Sequence, residues 1–137
     1  MIDMHSFPSP LIYEDVSLSA GEFKIILTQD FHYVDDTYGI IRVPKNFDSN
    51  LCSVPQKFQW LISKVGPYDI ATCVHDWLYA SQWYSKEICD SIFLTIMKKS
   101  NISYWKRYTM YYAVKYFADE NYSECKVNRD YYRGLLI

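Results

Sequence analysis

The sequence predicts an α+β domain, a small antiparallel sheet in the N-terminal half packed against three to four C-terminal helices. Three observations point that way. Short runs of β-branched and aromatic residues are confined to the first 50 residues, helical apolar spacing starts only after Pro55, and the 137 residues, half of them hydrophobic, suffice for one core. The whole chain, 1–137, is therefore expected to be a single domain, with strands and loops in 1–50, helices in 51–118 and a tail in 119–137.

After a loop-like start containing Pro8 and Pro10, residues 23–28, 31–34 and 39–43 each have the composition of a strand, with 35–39 (DDTYG) as a hairpin loop between the last two. Pro44 ends the third strand, and 46–50 is expected to be loop. Pro55 suits the first turn of a short helix running to about Val65. Gly66-Pro67 then punctuates and starts a second helix, with Ile70, Ala71, Val74, Trp77 and Leu78 at helical spacing. Ser85 caps a third helix that carries Ile88, Cys89, Ile92, Phe93 and Ile96 on one face. Ser103 caps a fourth, whose core stripe is Met110, Ala113, Val114 and Phe117. From Asn121 the tail is polar and tyrosine-rich until Leu135-Leu136-Ile137.

Composition narrows the function classes. The apolar stretch 88–97 is broken by Asp90 and Thr95 and falls short of the roughly 20 residues a bilayer requires, so no membrane association is expected. The start, Met-Ile-Asp-Met-His, has no basic run leading into an apolar core and does not read as a signal peptide. A cytosolic setting follows as the expectation. Cys52, Cys73, Cys89 and Cys125 contain no C-x-x-C pair, so they are expected to be reduced and packed, with no metal and no cofactor. Charge is uneven: residues 1–50 sum to −5, whereas 98–118 hold five bases, Lys98, Lys99, Lys106, Arg107 and Lys115, and no acid.

The segment Ala71-Thr-Cys-Val-His-Asp-Trp-Leu-Tyr79 places a His75-Asp76 doublet on an apolar helix. With Val74 at the centre of the stripe, His75 falls at its edge and Asp76 nearly opposite, since successive helical residues point about 100° apart. His75 is thus expected to be buried, and Asp76 to reach another element or the preceding loop. The doublet reads either as a buried polar lock, its groups paired as buried polar groups usually are, or as a general base and its partner. With only His5 and His32 besides His75, the supply of histidines is thin for a metal centre.

Val43-Pro44, Asn46-Phe47, Asn50-Leu-Cys-Ser-Val-Pro55, His75-Asp-Trp-Leu-Tyr79 and Ser85-Lys-Glu-Ile-Cys-Asp90 occur in that order. Together they resemble a family of short phage and prophage proteins of unknown function, with the pattern V-P-x-G-F-x-T-D-x-A-S-V-P, then H-D-x-L-Y, then R-x-x-A-D. The match extends over roughly residues 23–118. It implies a viral or prophage origin, an α+β fold and a polar cluster gathered from the S-V-P loop and two helices, without an established reaction. Ser53, His75, Asp76 and Asp90 match by position; Asn46 replaces Gly, Asn50 replaces Asp and Lys86 replaces Arg. A catalytic version would use Ser53 as nucleophile, His75 as base and Asp76 or Asp90 as orienting carboxylate, with Asn50 beside them. In the structural version Ser53 caps the following helix, and Asp90 pairs with Lys86 four residues away.

The basic helix offers a second kind of site. Opposite its core stripe lie Tyr104, Tyr108, Tyr111, Tyr112 and Lys115, which either contact a partner or shelter under the tyrosine-rich tail. Nucleic acid is not the expected partner, because the chain as a whole is acidic and carries no recognisable reading module. Three functions are therefore expected in order. The first is a phage accessory protein contacting a host protein, such as a defence component, or a virion protein, in the host cytoplasm or the virion. A small hydrolase acting on cell wall or another host polymer comes second, and a structural component of the virion third.

Overall fold

The computed structural model describes residues 5–16, 24–59, 61, 68–125 and 129–136. Its strands are β1 (Tyr13–Asp15), β2 (Ile25–Leu27), β3 (Phe31–Asp35), β4 (Gly39–Val43) and β5 (Asp48–Ser49). A 3-10 turn at Gln56–Phe58 leads to the helices α1 (Asp69–Ser81), α2 (Lys86–Lys99), α3 (Tyr104–Phe117), α4 (Asp119–Cys125) and α5 (Arg129–Gly134). The fold is α+β, as its sequence pattern implies.

Period-two burial builds the hairpin. Phe31 and Tyr33 on β3 and Ile41 and Val43 on β4 face the core, and the strands pair antiparallel from Phe31↔Val43 to Asp35↔Gly39. Gly39 sits at φ +78°, which a side chain would strain, while the Asp35 carboxylate accepts from the N–H groups of Thr37 (2.9 Å) and Tyr38 (3.0 Å). A second antiparallel sheet runs β1-β2-β5. Its outer strands lie in segments expected to be loop, because β1 is exposed throughout and β5 is two residues long, so neither shows apolar alternation. Both form by satisfying the open edges of β2. The strand expected over 23–28 is present as Ile25–Leu27, and residue 23 lies outside the described residues.

Helix α1 is the centre of the molecule. Every residue from Ala71 to Ser81 is buried, enclosed by α2, α4, α5 and β5, with Ala71, Thr72, Cys73 and Ala80 small enough to admit close neighbours. The expected single apolar stripe is therefore incomplete: both sides of the helix are core. Pro55 caps only a 3-10 turn, and much of the helix expected up to Val65, together with Gly66-Pro67, lies outside the described residues. Ser85 caps α2 as expected, accepting from the Ile88 N–H at 3.5 Å, whereas Ser103 occupies the cap position of α3 without a side-chain bond. Asn101 at φ 61° ends α2 with paired bonds, Asn101 N–H to the Lys98 carbonyl and Ile102 N–H to that of Met97.

The tail is helical rather than featureless. Arg133 donates to the carbonyls of Ser81 (2.7 Å) and Gln82 (3.1 Å) at the C-terminus of α1, where a cation is favoured. Tyr132 packs edge-on against Phe47 at 5.4 Å, and Arg42 donates to the Leu136 carbonyl at 2.6 Å. Among the described residues no helix is long and apolar enough to cross a membrane.

Candidate functional site

His75 and Asp76 leave α1 in different directions and enter one buried polar cluster. Asp76 reaches back to the loop after β5, as its position opposite the stripe implies. One of its oxygens accepts from the Ser49 hydroxyl and from the Leu51 N–H at 2.9 Å; the other accepts from the Ser53 hydroxyl and from the Ser53 N–H at 3.2 Å. Leu51 is held at φ 65°, a left-handed conformation unfavourable for a residue with a Cβ, and its bond to Asp76 offsets that strain. Ser53 is thus a ligand of Asp76 and His75, not the helix cap its position before Val54-Pro55 implies.

On the other side of α1, His75 Nδ1 lies 2.8 Å from Ser53 Oγ and Nε2 lies 2.8 Å from Asp90 Oδ1. Asp90 also accepts from the Tyr79 hydroxyl at 2.6 Å and from Lys86 at 2.8 Å. Lys86 continues to the carbonyls of Val114 (2.7 Å) and Lys115 (3.2 Å), so it ties α2 to α3. The His75 ring is packed between Phe93 and Tyr79, each with its centroid 4.3 Å away.

The contacts Asp76–Ser53, Ser53–His75 and His75–Asp90 each need one proton between two electronegative atoms. A serine hydroxyl supplies one and a neutral imidazole another. The third belongs either to the Asp76 carboxyl or to the second ring nitrogen, and with Asp90 ionised and Lys86 charged both placements leave the cluster neutral. Burial pushes the Asp76 carboxyl above its usual range despite the bonds from Ser49 and Ser53. Burial pushes Asp90 the same way, but the hydrogen bond and charge of His75, with Lys86 and Tyr79, outweigh it and hold Asp90 below the usual range.

Ser53, His75 and Asp76 are 0% exposed and Asp90 is 2% exposed. The Ser53–His75–Asp90 order is that of a nucleophile relay, but the serine has no surface to offer a substrate and its hydroxyl is bonded to Asp76. Of the five candidates, four are brought together. Asn50 is not: it is exposed, and its side chain accepts from the Cys52 N–H at 3.1 Å, a turn that amide and carboxylate make equally well. Among the described residues no group of three or more histidine, cysteine or acidic side chains is arranged to hold a metal. Sequence reasoning missed Ser49 and Tyr79. Tyr79 carried a signal, since it stands four residues after His75 on the same helical face.

A family model described as "Protein of unknown function (DUF1353)" matches residues 25–114. The chain belongs to this family. The matched span contains every member of the buried cluster, from Ser49 to Asp90, so the DUF1353 segment carries the whole of it. No curated protein and no solved structure gives a significant match.

The other candidate surface lies on α3, where the DUF1353 match ends. Tyr104, Trp105, Tyr112 and Tyr116 are 68%, 62%, 46% and 62% exposed. Tyr104, Tyr108, Tyr112 and Tyr116 follow at intervals of four, with successive ring centroids 4.7, 6.0 and 5.9 Å apart. Arg107 lies over Tyr104 at 5.3 Å, and Lys115 over Tyr116 at 5.4 Å. Two expected positions are corrected. Tyr111 is half-buried against the core because it borders the apolar stripe, and Phe117 is 53% exposed because α3 ends there and its ring turns to Phe58. Among the described residues the tail leaves the Tyr104, Trp105, Tyr112 and Tyr116 rings exposed: α5 packs on α1, and Tyr122 donates to the Tyr84 carbonyl at 2.9 Å.

Proposed function

We propose that this DUF1353 protein is a phage or prophage accessory protein that works by protein–protein contact, docking the α3 face on an acidic patch of a host or virion protein. One observation carries the reading: Tyr104, Tyr112 and Tyr116, flanked by bases, stay exposed while Tyr122, Tyr132, Leu135 and Leu136 of the tail pack against the core. Tyrosine and arginine are the residue types that dominate binding hot spots, and the run 98–118 holds five bases and no acid. The resemblance to short phage proteins supports the viral setting, in host cytoplasm or virion. The Ser53–His75 contact favours a hydrolase, but the sealed serine and its bond to Asp76 weigh against it, and the cluster is better understood as a structural lock.

The experiment compares the parent protein with a Tyr104→Ala/Tyr112→Ala/Tyr116→Ala variant, each immobilised in a host extract. The parent is expected to retain an acidic protein that elutes with salt, and the variant to lose it while keeping the parent's melting temperature. Equal retention by both would remove the α3 face from the function. If the parent instead binds single-stranded nucleic acid and the variant does not, the partner class is wrong although the surface is right.

A further inference from the structure

We propose that Cys52 and Cys125 form a reversible disulfide site that fastens helix α4 to the loop holding Asp76. Their sulfurs lie 2.7 Å apart, although the two residues are 73 positions apart in sequence. Most of the approach needed for a bond of about 2.05 Å has already been made by the fold. Asn121, on the same helix as Cys125, donates to the Cys52 carbonyl at 3.0 Å, so a second contact holds the two segments in place before any covalent link exists.

Access separates this pair from the other cysteines. Cys52 and Cys125 line a surface cavity of about 320 Å³ together with Asn50, Gln59, Asn121 and Glu124. Cys73 and Cys89 are 0% exposed and belong to the core. A small-molecule disulfide such as oxidised glutathione can therefore reach Cys52, which is half-buried. The Cys52 thiolate attacks one glutathione sulfur, forming a mixed disulfide and releasing one glutathione thiol. Cys125 then attacks the Cys52 sulfur and releases the second. Two cysteine thiols are oxidised, one glutathione disulfide is reduced, and both protons end on the glutathione thiols. The contact with the Cys125 thiol, together with burial, pushes the Cys52 thiol up, so the first step should accelerate as the pH is raised.

The bond would close a long loop that includes α1, α2 and α3, restricting the unfolded chain while leaving the folded one nearly unchanged. Its effect is to lock the C-terminal helices onto the loop that supplies the Leu51 and Ser53 N–H groups to Asp76.

To test it, the native protein is incubated with oxidised glutathione, blocked with an alkylating reagent, mapped by mass spectrometry and melted. Two of the four thiols should disappear, a Cys52–Cys125 peptide should form, and the melting temperature should rise by on the order of 10 °C and fall back on reduction with dithiothreitol. A Cys125→Ser variant should instead stop at a glutathione adduct on Cys52. Four surviving thiols, a lasting glutathione adduct on the parent, a bridge to Cys73 or Cys89, or a bridge without a melting shift would each overturn the proposal.

Discussion

The buried cluster around His75 and the outer face of α3 are opposite uses of reactive-looking residues. The cluster holds two serines, a histidine, two aspartates, a tyrosine and a lysine within hydrogen-bond reach, yet Ser53, His75 and Asp76 at its centre are 0% exposed. The α3 face holds tyrosines and bases with no titrating relay, and its Tyr104, Trp105, Tyr112 and Tyr116 rings stand half to two-thirds in solvent. In this molecule the groups with site chemistry join elements, and the groups with little chemistry are the ones a partner can touch. Lys86 shows how the joining works, since one ammonium neutralises Asp90 and donates to two carbonyls near the end of α3.

The sharpest way to break that comparison is to remove a member of the lock. His75→Ala leaves Ser53 and Asp90 each short of a partner in a buried cavity, and Lys86→Met leaves the buried Asp90 carboxylate without the Lys86 charge 2.8 Å away. Each is expected to lower unfolding free energy by about 3–5 kcal/mol in urea titrations. A loss below about 1 kcal/mol for both would mean that the cluster does not hold the fold together, and the catalytic reading would return.

Acidification probes the same lock less severely. Asp90 and Asp35 have native values below the usual range, so the stability they supply is complete above about pH 4 and is lost as pH falls through those lower values. Asp76 has the opposite sign: its native value is raised, so its share is complete below about pH 4 and is lost as pH rises through the native value. Parent and Asp90→Asn should therefore differ most near neutrality, and the gap should narrow by up to about 1 kcal/mol between pH 6 and pH 3, the most that one carboxylate can release over that range. A gap independent of pH would show that the Asp90 charge is not what His75 and Lys86 stabilise.

Much of the sheet was legible because apolar alternation is local, and β4 matches its expected limits residue for residue. The doublet was legible as two groups aimed apart, with Asp76 reaching the preceding loop, but not as a pair that is buried on both sides. What the sequence did not show is that α1 is enclosed on every side, because helical periodicity records apolar residues and passes over buried threonine, serine and aspartate. Ser49 was invisible for a related reason: a lone hydroxyl in a polar loop acquires its role only when a carboxylate 27 residues away turns toward it. The tail helices were not legible because they are short and polar by composition and form against α1 and β4 through Arg133 and Leu136 rather than by their own propensity.

Tyr79→Phe asks whether the lock is a network or a single pair. The hydroxyl donates 2.6 Å to the same Asp90 oxygen that faces His75, so its loss leaves the carboxylate with two partners rather than none. The expected loss is about 1 kcal/mol, with Asp90 shifted toward its ordinary value because one donor to the charged form has gone.

The smallest effect sharpens the contrast from the other side. Replacing Tyr104, Tyr112 and Tyr116 with alanine removes rings that touch chiefly neighbouring tyrosines and solvent, so mainly the modest pairing of residues four apart is lost. Stability should change by roughly 0.5 kcal/mol or less per site, and the amide hydrogen-exchange protection of α1 should stay as in the parent. Alanine is also the stronger helix former, which offsets part of the lost contact. A drop of several kcal/mol would mean that the α3 rings cover core after all. They would then belong with the lock rather than with a docking surface, and the division between the two regions would fail.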